Sequence, residues 1–153
     1  MASASHGRSA ARRALASNLV NLQPAAAPPA KSIRILIVDD DPSVRFVLRL
    51  ILEAEGYEIV EAIHGEAALE VIRPNPLPDI VMTDLMMPVM GGIELIQRLR
   101  SDQRTAVIPI VVVSGNPEHA QSLEASGAIA AIVSKPFTAA GLADSVRAAI
   151  RTP

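Results

Sequence analysis

The sequence predicts an α/β fold, a doubly wound five-stranded parallel sheet with five helices and strand order 2-1-3-4-5. Three observations carry that expectation. Continuous apolar runs recur at 33–38, 80–82, 108–113 and 128–133, with an alternating run at 57–62. Runs without a polar face suit parallel strands covered on both sides. A stretch of helical periodicity follows each run, as right-handed crossovers between parallel strands require. Four of the runs also end close to a chemically active group, and the carboxyl ends of parallel strands share one ligand-binding edge.

Each element has its own signal. IRILIV (33–38) ends in Asp39, Asp40 and Asp41. Asp41 caps the next helix with Pro42 at its first position. Val44, Val47, Leu48 and Ile51 share one face, and Gly56 ends the helix. YEIVEA (57–62) alternates, with Glu58 and Glu61 interrupting the apolar run, and reads as an edge strand. A short helix from about Gly65 to Arg73 follows. Proline-rich residues 74–78 lead into Ile80, Val81 and Met82, a strand that ends at Asp84. Pro88 delays the next helix, which begins after the Gly91-Gly92 turn and carries Ile93, Ile96, Leu99 and Arg100. IPIVVV (108–113) ends on Ser114 and Gly115, and Asn116-Pro117 starts a helix that closes at Gly127. AIAAIV (128–133) ends on Ser134, Lys135 and Pro136. Thr138 caps the final helix, with Leu142, Val146, Ala149 and Ile150 on its inner face.

The 153 residues divide into an N-terminal extension, 1–31, and one domain, 32–153. The extension is rich in Ala, Pro and Arg, a composition that cannot build a core, and is expected to be flexible. Absence of cysteine excludes disulfides and thiolate metal sites. Residues 1–38 carry Arg8, Arg12, Arg13, Lys31 and Arg34 without an acid, or +5; the remainder has 9 basic and 16 acidic groups, or −7. A folded body of that sign is repelled by phosphate backbones, so direct DNA binding is not expected. No apolar run approaches the roughly 18 residues of a membrane span, which predicts a soluble protein with no membrane partner; cysteine usage leaves the compartment undetermined, and a cytoplasmic location is the expectation. His6, His64 and His119 have no ligand spacing. No Gly-x-Ser elbow precedes Ser114, and no glycine-rich nucleotide loop follows the first strand.

Asp39, Asp40, Asp84, Ser114 and Lys135 therefore converge on one edge. Carboxylates without His or Cys make a hard oxygen site suited to Mg²⁺, or Mn²⁺, at about 2.1 Å. A cation beside an ammonium and a hydroxyl would bind a phosphoryl group. Lys135 is one of two lysines against twelve arginines, and a compact ammonium is the fitter charge for a tight site.

ILIVDDDPSVR, VMTDLMMPVMGG, IPIVVVSG and SKPF, in that order and spacing, resemble the receiver domain of bacterial response regulators in two-component signalling, the CheY-like family with its flavodoxin-like sheet. The resemblance spans Ile33 to Ile150. It implies that Asp84 is the phosphoacceptor, taking its phosphoryl group from a sensor histidine kinase, a histidine phosphotransfer protein or a small phosphodonor. It implies Mg²⁺ on Asp40, Asp84 and the backbone carbonyl of Met86, with Asp39 acting mainly through bound water. Ser114 and Lys135 would engage the phosphoryl oxygens, and the Lys135-Pro136 bond would be cis. The only chemistry expected is the domain's own phosphotransfer and dephosphorylation, so the protein is not read as an enzyme.

Three positions depart from the family pattern. Ile132 stands where an aromatic side chain is usual, Gly91 where Asp is frequent, and one extra residue lies between Gly127 and Lys135. The apolar last strand suggests a partner face around Ile132, formed with the helices after Asn116 and Thr138. The chain ends at Pro153, which predicts a stand-alone receiver, monomeric or weakly dimeric, acting on a downstream protein. The alternative is a receiver-like interaction module independent of phosphorylation. An aspartyl phosphatase would need a second Asp two positions after Asp84, where Met86 stands.

Overall fold

A computed structural model describes residues 30–74 and 76–151. The expected extension, 1–31, lies outside them except for Ala30 and Lys31. In chain order the elements are β1 (Arg34–Val38), α1 (Pro42–Ala54), β2 (Glu58–Ala62), α2 (Gly65–Ile72), β3 (Ile80–Thr83), α3 (Gly92–Ser101), β4 (Ile110–Ser114), a 3-10 turn (Pro117–Ala120), α4 (Gln121–Ala125), β5 (Ala131–Ser134) and α5 (Ala139–Arg151). The strands form one parallel sheet in the order β2-β1-β3-β4-β5. The expected topology holds, with β2 at an edge.

Alternation along the strands divides the core between two faces. Ile35, Ile37, Ile80, Met82, Val111 and Val113 meet Leu48 and Leu52 of α1 and Leu142, Val146 and Ala149 of α5. Leu36, Val38, Val81, Ile110 and Val112 face the other way, onto Ala68 and Ile72 of α2 and Leu95, Ile96 and Leu99 of α3. The central strands β3 and β4 are buried along their whole length. Among the described residues no helix is long and apolar enough to cross a membrane.

The capping expectations hold. Asp41 accepts from the Ser43 amide at 2.8 Å and Thr138 from the Gly141 amide at 3.0 Å. Four details differ from the sequence reading. On α1, Leu52 joins Leu48 in the core while Val47 is exposed. On α3, Leu95 takes the buried position and Ile93 turns outward. The stretch from Asn116 to Gly127 breaks into the 3-10 turn and the five-residue α4. The last strand starts at Ala131 rather than at 128, because the Ala130 amide already bonds to the Ile110 carbonyl while Ala128 and Ile129 bond back to Leu123.

Arg100 ties the far end of the sheet together. Its Nε donates to the Ala128 carbonyl at 2.9 Å, and its Nη1 donates to the Ala106 and Ile108 carbonyls at 3.0 and 2.9 Å. Burial lowers its pKa from the ordinary arginine value. Arg100→Leu removes a charged donor from three carbonyls and is expected to cost about 2–3 kcal/mol. The check is a fall in the urea midpoint at unchanged slope.

Candidate functional site

The loops that leave the carboxyl ends of β1, β3 and β5 build the site. Asp39 follows the last residue of β1, and its amide donates to the Ala62 carbonyl of β2 at 3.2 Å. Asp84 follows β3, and its amide donates to the Val38 carbonyl at 3.0 Å, which holds the two acidic turns side by side. Lys135 follows β5, with its amide on the Ser114 carbonyl at 2.9 Å. The Lys135-Pro136 bond is cis, as the resemblance implies.

Lys135 bridges two carboxylates. Its Nζ lies 3.0 Å from Asp39 Oδ2 and 3.0 Å from Asp84 Oδ2, joining residues 96 and 51 positions apart. Asp39 is almost sealed from solvent, its side chain 2% exposed, whereas the Lys135 side chain is 24% exposed. The remaining Asp39 oxygen accepts from the Asp41 amide at 2.9 Å. Asp84 Oδ1 accepts from the Leu85 amide, at 2.6 Å, and more weakly from Met86 at 3.4 Å.

The electrostatics follow from these burials. Desolvation raises the Asp39 carboxyl above its ordinary pKa, against the pull of the Asp41 amide and Lys135, and the Asp84 charge adds to the rise. Burial alone would lower Lys135, but hydrogen bonds and attraction to Asp39 and Asp84 hold its ammonium above the ordinary lysine value. Both directions coexist because burial outweighs the partners of Asp39, whereas two carboxylates together outweigh the burial of Lys135.

Asp40 completes the acidic set. One carboxylate oxygen from each of Asp39, Asp40 and Asp84 lies within 4.8 Å of the others. Asp40 is exposed, and its carboxylate has no hydrogen-bond or ion-pair partner among the described residues. Three acids against one ammonium leave the pocket short of positive charge. The donors are all oxygen, and one is unpaired, so the residues present are compatible with a hard divalent cation.

Ser114 is buried at the end of β4, one strand from Asp84. Its Oγ accepts from the Asn116 amide at 3.1 Å and makes no bond to Asp84 or Lys135. Met86 stands exposed in the loop after Asp84. Ile132 is half-buried and packs against the cluster on the α2 and α3 side of the sheet. The large exposed apolar side chains of the described residues lie elsewhere: Phe46, Val47 and Leu50 on α1, then Ile63, Met86, Val89, Ile93 and Val107. Val89, two residues from the Gly91-Gly92 turn, sits at φ +67°, a left-handed conformation that a β-branched side chain resists.

This arrangement of strand-end acids and a bridging lysine coincides with a family match. The family of response regulator receiver domains matches over residues 35–147. The chain belongs to that family. Among the similar proteins is the DNA-binding dual master transcriptional regulator RpaA of Synechocystis sp., 35% identical over 120 residues, which are 77% of this chain and 49% of RpaA. The chain therefore spans about half the length of that relative. It matches chemotaxis protein CheY1 of Helicobacter pylori over nearly all of that protein, at 32% identity, covering 78% of this chain and 98% of CheY1. The solved structure of chemotaxis response regulator CheY4 of Vibrio cholerae superposes with a TM-score of 0.71 at 28% identity, covering 78% of this chain and 99% of CheY4. As a receiver domain, the chain is a module of two-component response regulators.

Two site features escape sequence reasoning. Arg45 donates from Nη1 to the Asp39 carbonyl at 2.8 Å, a bond to backbone that no residue pattern signals. Thr83 donates from Oγ1 to the Asp84 carbonyl at 2.7 Å. The position of Thr83, directly before the acid, is the one hint of it.

Proposed function

We propose that this receiver domain accepts a phosphoryl group on Asp84 and uses the resulting change in charge to switch a protein-interaction surface. The carrying observation is the Lys135 bridge between Asp39 and Asp84, beside the unpaired carboxylate of Asp40. An Asp84 carboxylate oxygen attacks phosphorus. The P–N bond of a phosphohistidine on a kinase or phosphotransfer protein breaks, or the P–O bond of acetyl phosphate, and imidazole or acetate leaves with the bond's electron pair. The product on Asp84 is an acyl phosphate. The domain promotes only this transfer and the later hydrolysis, in which water attacks phosphorus, the P–O bond to Asp84 breaks, the Asp84 carboxylate leaves with its electron pair and inorganic phosphate is released.

Asp40, Asp84 and the Met86 carbonyl would hold Mg²⁺, or Mn²⁺, with Asp39 acting through water. Bound there, the cation neutralises charge on the phosphoryl oxygens. The chain's own groups orient the transfer. The Leu85 amide fixes one oxygen of Asp84, and Lys135 holds the other in the direction of the pocket. After transfer Asp84 carries about −1.5 to −2 and three strong acceptors. Lys135 exchanges a carboxylate for the phosphoryl oxygens, and the Ser114 hydroxyl turns from its own loop toward them. Ser114 ends β4 and Lys135 follows β5, the edge strand that carries Ile132, so the β4 and β5 loops move together. The half-buried Ile132 side chain reports that movement to the outer face, where the downstream protein would bind.

Intact-protein mass after incubation with acetyl phosphate and Mg²⁺ tests the reading, beside an Asp84→Asn control. A gain of one phosphoryl group in wild type alone is the expected result. Equal gain in both proteins would place the acceptor elsewhere. No gain in folded wild type, with acetyl phosphate or with a histidine kinase, would favour a phosphorylation-independent interaction module.

A further inference from the structure

We infer that Arg45 is a positioning residue for the divalent-cation site, acting through the backbone carbonyl of Asp39; the inference rests on the receiver reading above. The carbonyl belongs to the peptide that joins Asp39 to Asp40. That peptide lies beyond the last paired residue of β1, so the sheet ladder does not hold it. Arg45 supplies the missing donor, with Nη1 2.8 Å from the carbonyl oxygen.

The consequence falls on Asp40. Its carboxylate has no partner of its own among the described residues, so its direction follows the plane of the peptide before it. Fixing the Asp39 carbonyl therefore aims the Asp40 carboxylate. Outer bonds of this kind orient ligands that are otherwise free to turn.

Arg45 is itself locked. Its Nε lies 3.3 Å from Glu61 Oε1, and its side chain is 16% exposed. Glu61 interrupts the apolar pattern of β2, and this bond gives that interruption a role. Arg49, one turn further along α1, binds the other oxygen of Glu61 at 2.9 Å but does not touch Asp39. The two arginines share Glu61 and differ in the bond that matters.

That difference supplies a test with opposite signs. On Coulomb grounds alone, removing a cationic side chain near a cation site favours Mg²⁺, because like-charge repulsion is relieved. Loss of positioning weakens it. Mg²⁺ affinity is measured by calorimetry on the metal-stripped protein, with thermal midpoints recorded in parallel. Arg45→Gln is expected to raise the Mg²⁺ Kd about tenfold or more. Arg49→Gln, which removes the same charge, is expected to stay within about twofold of wild type. Arg45→Lys keeps the charge, but one ammonium cannot serve both the carbonyl and Glu61. Its Kd is expected between those of wild type and Arg45→Gln, and it decides the matter if Arg45→Gln does not fold. An unchanged or lower Kd in Arg45→Gln, or a wild-type Kd in Arg45→Lys, overturns the positioning role while leaving the receiver reading intact. Absence of Mg²⁺ binding to wild type overturns both.

Discussion

Gly92→Ala is expected to lower stability by about 3 kcal/mol and to slow phosphoryl transfer to Asp84 by about two orders of magnitude in the molecules that remain folded. Gly92 opens α3, and the loop from Asp84 folds back on it: the Gly92 amide donates to the Leu85 carbonyl at 2.9 Å. A methyl group on Gly92 would overlap the Asp84 carbonyl oxygen and stand 2.9 Å from both the Asp84 carbonyl carbon and Leu85 Cα. All three obstacles are backbone, so no side chain can swing aside. The relief is to push the Asp84 peptide off Gly92, which moves the carboxylate that receives the phosphoryl group. Two other glycines separate this clash from the general cost of substitution. Gly56 has φ +89° and open space around it, so Gly56→Ala is limited to the left-handed penalty of about 1–2 kcal/mol. Gly115 has neither constraint, and Gly115→Ala is expected to stay within about 0.5 kcal/mol of wild type. Urea unfolding gives the stabilities, and the initial rate of mass gain from acetyl phosphate gives the transfer. A Gly92→Ala protein as stable and as fast as Gly115→Ala would refute the clash.

The topology is legible in the sequence because parallel strands buried on both faces have no polar side to disguise them. Once four such runs and the alternating run at 57–62 are separated by helices, the strand ends share an edge, and Asp39, Asp40, Asp84, Ser114 and Lys135 follow without any side-chain detail. What residue types do not encode is which partner each group chooses. Lys135 reaches the sealed Asp39 as well as Asp84, and Ser114 turns to its own loop. Arg45 and Arg100 bond to carbonyl oxygens, which every residue possesses, so their roles leave no trace in composition. Periodicity also fails where apolar residues stand two positions apart on a helix, about 200° round its axis, so that either can open the inner face. Ile93 and Leu95 both fit an amphipathic pattern, and the packing of α3 on the sheet selects Leu95. In the region of α4 the bonds from Ala128 and Ile129 back to Leu123 delay β5, so the apolar run at 128–130 forms a loop instead of a strand.

Lys135→Met is expected to destabilise the metal-free protein by about 2 kcal/mol, less than the ~3–5 kcal/mol of a fully buried pair because the lysine reaches water. Without the ammonium, Asp39, Asp40 and Asp84 face one another uncompensated, and the desolvated Asp39 bears the largest penalty. The effect has a pH signature whose sign follows from linkage. The Lys135 pKa is raised in the folded state from an ordinary 10.5, so the folded protein holds that proton more tightly than the unfolded chain. Its contribution is complete below pH 10.5 and is lost as pH rises through the folded value. On the alkaline side the stability gap between wild type and Lys135→Met should therefore close only above 10.5, and in acid it should close as the Asp39 carboxyl, raised above its ordinary 3.8, takes up a proton. On the proposed divalent-cation reading, Mg²⁺ supplies the charge that Met cannot. Saturating Mg²⁺ should then raise the thermal midpoint of Lys135→Met by more than that of wild type, because a resident ammonium no longer competes for Asp84. Phosphoryl transfer should fail even so, since Mg²⁺ restores charge but not the donor that steers the Asp84 oxygen. A variant whose stability recovers with Mg²⁺ and whose phosphorylation recovers as well would show that Lys135 is needed only for its charge.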